Sequence, residues 1–334
     1  MKQIKPIYKN GGNWEEPAFS YMLRNIFPEC NVQGRFTNQV HDFKIYIMAS
    51  FSNDYKSCKY IWDTSGIKDK SSRIFEVTLD DTIKNDLVIL FTGESWDIDA
   101  VKTHESQKYV VFSPFRHDPM NNVIQMPWIV IPYIQFHRVN YIYKYQNNKD
   151  KLNKKYFIAY CASNHRGNDR SKFMNMIVSK YNNHKLQSEI YSLGGHYISN
   201  TIHEHLPKYR SPSTLLVDKY SQFKFAVVFE NTKKKGYITE KLLQAFIANT
   251  IPIYYGDHEL AKQLFNPKAM ICVHDFENYE ECIDFIYNMS DSDIKDMLEE
   301  PMFKDNITPE MFDVTNFETG YFGYISKFIR NLYD

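Results

Sequence analysis

The chain has 334 residues, 16% of them aromatic, and its 40 basic side chains are balanced by 40 acidic ones. That length accommodates two domains, each with its own core. Balanced charge gives no field favouring nucleic acid, and aromatic residues spread along the whole chain leave no tract of disordered composition. The opening residues MKQIKPIYKNGGNWEE carry charge where a secretory signal would carry an apolar core. No apolar run approaches the roughly 18 residues of a membrane span, so the expectation is a soluble, cytoplasmic protein. Five scattered cysteines (Cys30, Cys58, Cys161, Cys272, Cys282) include no CxxC pair. Reduced, buried thiols are expected, rather than a disulfide framework or a zinc site.

In chain order, Phe19, Met22, Leu23, Ile26 and Phe27 recur at helical spacing, with Pro17 near the favoured first position, and predict a helix over 17–27. Strands are predicted over 43–49, 87–91, 109–112 and 128–131, enough for a parallel sheet in an α/β domain covering the first 140 or so residues. The run at 87–91 ends abruptly at Thr92-Gly93-Glu94-Ser95-Trp96. Residues 143–155, YKYQNNKDKLNKK, have almost nothing apolar to bury and read as a linker.

Beyond the linker a strand is predicted over 156–162, followed by the loop SNHRGND. A helix from about Asp169 then places Phe173, Ile177 and Tyr181 on one face. Residues 224–256, KFAVVFENTKKKGYITEKLLQAFIANTIPIYYG, read as strand, loop, helix and strand in one passage. Ile238, Leu242, Leu243, Phe246 and Ile247 would line one apolar face of that helix. A strand over 269–273 and a helix over 278–289 continue the alternation, which is the signature of a doubly wound parallel sheet. The final helix, 321–332, is too apolar to leave exposed and must pack on one of the two domains.

The second half offers cations near strand ends, namely Arg170, Lys241 and the run Lys233 to Lys235, where open α/β sheets hold phosphates. It lacks both GxxxxGK[ST] and GxGxxG, so kinase and dehydrogenase readings lose their main support. A nucleotide-sugar transferase needs phosphate neutralisation without either glycine loop, and a carboxylate as general base for the acceptor hydroxyl. Glu94, just beyond a strand, fits that place. Asp97-Ile98-Asp99 and Asp291-Ser292-Asp293 have the form of metal-binding pairs but read as solvated turns, and His203-Glu204-His205 reads as a surface loop. No metal or cofactor is expected.

FENTKKKGYITEKLLQAF followed by PIYYG is similar to the donor-site signature of the α-1,3/4-fucosyltransferases, with the spacing between its parts kept. Thr92-Gly93-Glu94, Asp169-Arg170 with Phe173, and Val273 to Phe276 also resemble elements of that family, the last as its following strand. The resemblance implies a GT-B architecture of two facing Rossmann-like domains. In it residues 1–145 bind the acceptor, residues 155–317 bind GDP-fucose, and the helix 318–334 returns to the N-terminal domain. It implies inverting transfer to an N-acetyllactosamine- or lactose-type glycan through an α-1,3 or α-1,4 linkage. Carried over, Glu94 becomes the catalytic base, and Arg170 and Lys241 become partners of the diphosphate. Asn231, Tyr237 and Glu230 become substrate contacts, and Glu240 a ribose or fucose contact placed with the catalytic set. Two rival readings stay open: a GT-B transferase of another nucleotide sugar, and a non-catalytic glycan- or nucleotide-binding protein of the same fold.

Overall fold

The computed structural model describes residues 2–9, 16–33, 42–49, 58–62, 74–79, 86–91, 97–148, 151–162, 168–206 and 214–333. Glu94, with the rest of its loop, and Arg166 lie outside the described residues. The chain divides into two compact units, one made of Met1–Gln135 with Glu310–Asp334, the other of Phe136–Pro309. The division falls ahead of the polar segment 143–155, where the linker was expected.

The first unit carries β1 (Gln3–Lys9), α1 (Glu16–Ile26), β2 (Asn31–Val32), β3 (Phe43–Ala49), β4 (Cys58–Trp62), β5 (Ile74–Leu79), β6 (Leu87–Phe91), β7 (Asp97–Lys102), β8 (Tyr109–Ser113) and β9 (Val123–Gln125); α2 (Val130–Arg138) crosses the division. Six strands form a parallel sheet in the order β2-β1-β3-β6-β8-β9, and β4-β5-β7 form a second, smaller sheet. Every residue of β6 is buried because both of its faces are covered. Val88 and Leu90 cluster with Val77, Leu79 and Ile98 of the small sheet. From the same strand, Phe91 meets Phe19 of α1 with ring centroids 4.7 Å apart.

Residues 128–131 are not the expected strand. They enter and begin α2, a helix whose Ile129, Val130, Ile131, Tyr133, Ile134 and Phe136 are all buried. An apolar run enclosed on every side carries no period to separate strand from helix. Pro132 is tolerated because the first-turn N–H groups have no helical partner to lose. Asp97-Ile98-Asp99 opens β7 rather than occupying a solvated turn.

The second unit contains β10 (Tyr156–Cys161), α3 (Asn168–Lys180), β11 (Ile190–Leu193), β12 (Ile202–Glu204), α4 (Thr214–Tyr220), β13 (Phe223–Phe229), α5 (Glu240–Ile247), β14 (Ile251–Tyr255), α6 (His258–Leu264), β15 (Ile271–Cys272), α7 (Tyr279–Asn288) and α8 (Asp291–Glu299). All its strand pairs are parallel, in the order β12-β11-β10-β13-β14-β15. Counted within this unit, that is 3-2-1-4-5-6, the order of the dinucleotide-binding doubly wound sheet. The order reverses between β10 and β13, so a crevice opens past their C-terminal ends.

Past its first two residues helix α5 is enclosed, with Leu242 through Ile247 all buried, Gln244 included. The strand expected at 269–273 shrinks to Ile271–Cys272, and Val273–Asp275 form a 3-10 turn. The second Asp-x-Asp heads α8. Ser290 and Asp293 exchange bonds there as a capping box, and Asp291 pairs with Lys224 at 2.9 Å. His203-Glu204-His205 is edge strand and its exit rather than loop. His203 Nε2 and His205 Nδ1 each lie 3.2 Å from the Gly194 carbonyl oxygen, and Glu204 pairs with Lys219 at 2.5 Å.

The C-terminal helix α9 (Gly320–Tyr333) belongs to the first unit. Phe322, Ile325 and Ile329 are buried, and Arg330 donates to the Ile26 carbonyl at the end of α1 and pairs with Glu29 at 2.8 Å. The expected return of the last helix to the N-terminal domain is therefore met. Among the described residues no helix is long and apolar enough to cross a membrane, and no three His, Cys, Asp or Glu side chains gather as metal ligands. Cys30, Cys161, Cys272 and Cys282 are free thiols, but only Cys272 and Cys282 are fully buried.

Candidate active site

In the second unit the opening turn of α3 and the segment after β13 meet beyond the strand ends. From the first comes Arg170, buried to 7% exposure; it donates from Nη1 to Asn231 Oδ1 at 3.3 Å. Asn231 lies two residues beyond β13 and is exposed. The start of α3 and the segment after β13 are thus joined through these side chains.

Glu230 is the first residue after β13, and its N–H donates to the Tyr255 carbonyl at 2.8 Å, extending the β13–β14 ladder by one bond. This brings its side chain alongside Gly256. A Cβ there would fall on Tyr254 Oη and 2.8 Å from Glu230 Cγ, so the closing glycine of PIYYG is a packing requirement. The Glu230 carboxylate has no exposed surface. Oε1 accepts from the Thr239 N–H at 2.7 Å, and Oε2 accepts from Thr239 Oγ1 at 2.7 Å and Lys241 Nζ at 3.3 Å. Burial raises its pKa, and Lys241 and the Thr239 bonds work against that rise.

Lys241 is the counterpart, with its side chain 27% exposed. Its ammonium donates to Thr239 Oγ1 at 2.9 Å and also lies 3.5 Å from Glu240 Oε1. Burial alone would lower its pKa, but the Glu240 and Glu230 carboxylates reverse this and hold it above the ordinary lysine range. Thr239 is the N-cap of α5, but its side-chain oxygen accepts no helix N–H; the hydroxyl donates to Glu230 and accepts from Lys241 Nζ. The first turn of α5 therefore begins without the usual side-chain cap.

The loop between β13 and α5 is pinned from the next βα turn. Asp257, the N-cap of α6, accepts from Leu260 N–H at 3.2 Å and with its other oxygen from Gly236 N–H at 2.6 Å. Gly236 has a φ of +81°, which a side chain would disfavour. Tyr237, the next residue, is buried at 1% exposure. Beside the loop, Tyr255 and His274 approach with ring centroids 4.6 Å apart, and Lys233 Nζ lies 3.4 Å from His274 Nδ1. Burial, then the charges of Lys233 and His258, depress the His274 pKa to about 4.

Of the expected site residues, Arg170 lies in the first turn of α3, Glu230, Asn231 and Tyr237 between β13 and α5, and Glu240 and Lys241 in the first turn of α5. Glu94 lies outside the described residues, its loop following β6 directly. Sequence reasoning did not single out Thr239 or Asp257. The signal for both was present, since each immediately precedes a helix and belongs to a residue type favoured at N-caps.

Chemically, the assembly suits a pyrophosphate: a guanidinium, an ammonium and a helix start lie together beyond parallel strands. Comparison with known proteins points the same way. The sequence model of glycosyltransferase family 10 (fucosyltransferase), C-terminal part, matches residues 146–299. An α-(1,3)-fucosyltransferase of Helicobacter pylori is 53% identical over 66 residues, 20% of this chain and 14% of that protein. A putative fucosyltransferase of Acanthamoeba polyphaga mimivirus is 35% identical over 101 residues, 30% of this chain and 17% of the relative. These matches therefore span less than a fifth of either relative's length. The crystal structure of an α1,3-fucosyltransferase with GDP shares the fold over 99% of this chain and 90% of its own, with a TM-score of 0.63 and 19% identity. The fold is GT-B, and residues 146–299 match the C-terminal model of glycosyltransferase family 10.

Proposed function

We propose that the chain is an inverting α-1,3-fucosyltransferase that moves L-fucose from GDP-fucose to a hydroxyl of an N-acetyllactosamine- or lactose-type glycan. The observation that carries this reading is that Arg170 bonds Asn231 while Lys241 bonds Glu230, adjacent residues just past β13, within the segment matched by the fucosyltransferase family. In the reaction, the acceptor oxygen forms a bond to fucose C1 while the bond from C1 to the phosphate oxygen breaks. The electron pair leaves with GDP, where Arg170, Lys241 and the N-terminus of α5 meet the charge that builds. The acceptor proton passes to Glu94 as general base. Asn231 and Tyr237 contact phosphate or sugar, and Glu240 contacts ribose or fucose. With two side-chain cations on the diphosphate, turnover is expected to survive EDTA.

Calorimetric titration with GDP, UDP and CMP tests the donor, and incubation with GDP-fucose and a panel of lactose, N-acetyllactosamine and type 1 acceptors tests the transfer, with the linkage read by NMR. Selective GDP binding and an α-1,3 product are expected. Tight UDP binding with none for GDP would overturn the fucose assignment, and GDP binding without transfer to any acceptor would favour a binding protein.

A further inference from the structure

An ammonium group has three protons, and Lys241 has three acceptors around it: Thr239 Oγ1 at 2.9 Å, Glu230 Oε2 at 3.3 Å and Glu240 Oε1 at 3.5 Å. They are not equivalent. Thr239 and Glu230 are 2% and 4% exposed and bonded to each other, so neither can turn away without leaving a buried polar group unsatisfied. Glu240 makes the longest contact, and its side chain is 36% exposed, so it can exchange lysine for water at little cost.

We propose that Glu230 is the positioning residue of the donor site, an enclosed counterion that aims the Lys241 ammonium directly and through Thr239, while Glu240 is the exchangeable counterion whose place a donor phosphate oxygen takes. The proposal rests on the reading of Lys241 as a diphosphate partner. It explains why a carboxylate is buried beside a site for anions, where its charge by itself opposes binding. A fixed second counterion would block the ammonium; one fixed and one labile counterion leave a single direction open.

The sign of the effect on GDP affinity separates positioning from charge. Glu230→Gln removes one negative charge near the bound anion, so charge alone predicts tighter GDP binding. Under the proposal Glu230→Gln instead weakens it roughly tenfold, as losing a hydrogen bond to a charged group would. The Gln amide must set an N–H against either the Thr239 N–H or the Lys241 ammonium, so one of these contacts becomes donor against donor. In turnover, Glu230→Gln raises KM for GDP-fucose and lowers kcat, with KM for the acceptor unchanged.

If Glu230→Gln does not fold, Thr239→Val and Thr239→Ser make the same test. Only Ser keeps the hydroxyl that links the two charges, so Ser retains GDP affinity and Val loses it. Wild type that binds GDP alongside a Glu230→Gln variant binding it equally or more tightly would overturn the positioning role, as would Val and Ser variants of equal affinity. Wild type that binds no GDP would instead remove the reading of the site, and this inference with it.

Discussion

Replacing Lys241 by Met leaves the Glu230 carboxylate enclosed without its cation, and the consequence can be worked from the geometry. Stripping one partner from a fully buried pair costs roughly 3–5 kcal/mol. Here Lys241 is 27% exposed, and Glu230 keeps both bonds from Thr239, so the expected cost near neutral pH is lower, about 2 kcal/mol. The pH dependence is sharper than the magnitude. Burial already raises the Glu230 pKa, and removing Lys241 removes the largest opposing influence. An unfolded glutamate loses its proton near about 4.3. Above that pH the folded variant holds more protons than the unfolded chain, so its stability falls as pH rises, until the raised folded pKa is passed. Urea unfolding at about pH 4.5 and about pH 7.5 should show a small deficit at the first and the full one at the second. Adding Glu230→Gln should recover part of the loss, because the two side chains act as one unit. An equal deficit at both pH values, with strictly additive effects in the double variant, would refute this account of the pair.

Three further outcomes are expected. Gly256→Ala should cost about 1–3 kcal/mol in urea unfolding, because its Cβ meets Tyr254 Oη and Glu230 Cγ, and adding Tyr254→Phe should recover part of the loss by removing the hydroxyl. His274 should stay neutral in the fold until about pH 4, so its ring resonances in an NMR titration should not move near the ordinary histidine value. An unfolded histidine takes its proton near about 6.5, so this site costs stability as pH falls from there towards the folded value, and His274→Phe should flatten that limb. Glu94→Gln should abolish transfer from GDP-fucose while leaving GDP affinity intact, and undiminished turnover would remove it as base.

Much of the second unit could be read directly because its strands are short, apolar and separated by helices of clear period. Residues 224–229 and 251–255 differ from β13 and β14 by at most one residue. The first unit was harder to read for a physical reason. Strands of its small sheet cluster with those of the main one, so β6 is buried throughout and lacks the alternation of a half-solvated strand. The helix at Val130–Arg138 failed for the same cause, since uniform burial erases the period that would identify it. The two-residue strand β2 and the three-residue strand β9 are too short to carry any pattern at all.

The site divides along a similar line. Arg170 and Lys241 were legible as candidates because cations near the ends of parallel strands suit an anion, and Asn231 because it belongs to the fucosyltransferase-like signature. The burial of Glu230 was not legible, although it lies in the most recognisable stretch of the chain. In sequence a glutamate that contacts a substrate and one that never meets solvent are the same letter, and only the extra ladder bond from Glu230 N–H to Tyr255 turns this one inward, against Gly256. Thr239 follows from that turn. Its N–H and hydroxyl both donate to that carboxylate and its oxygen accepts from Lys241, while no helix N–H reaches it, so the start of α5 has no side-chain cap. The lysine contact and the uncapped helix start therefore both adjoin one carboxylate, whose place follows from the register between β13 and β14.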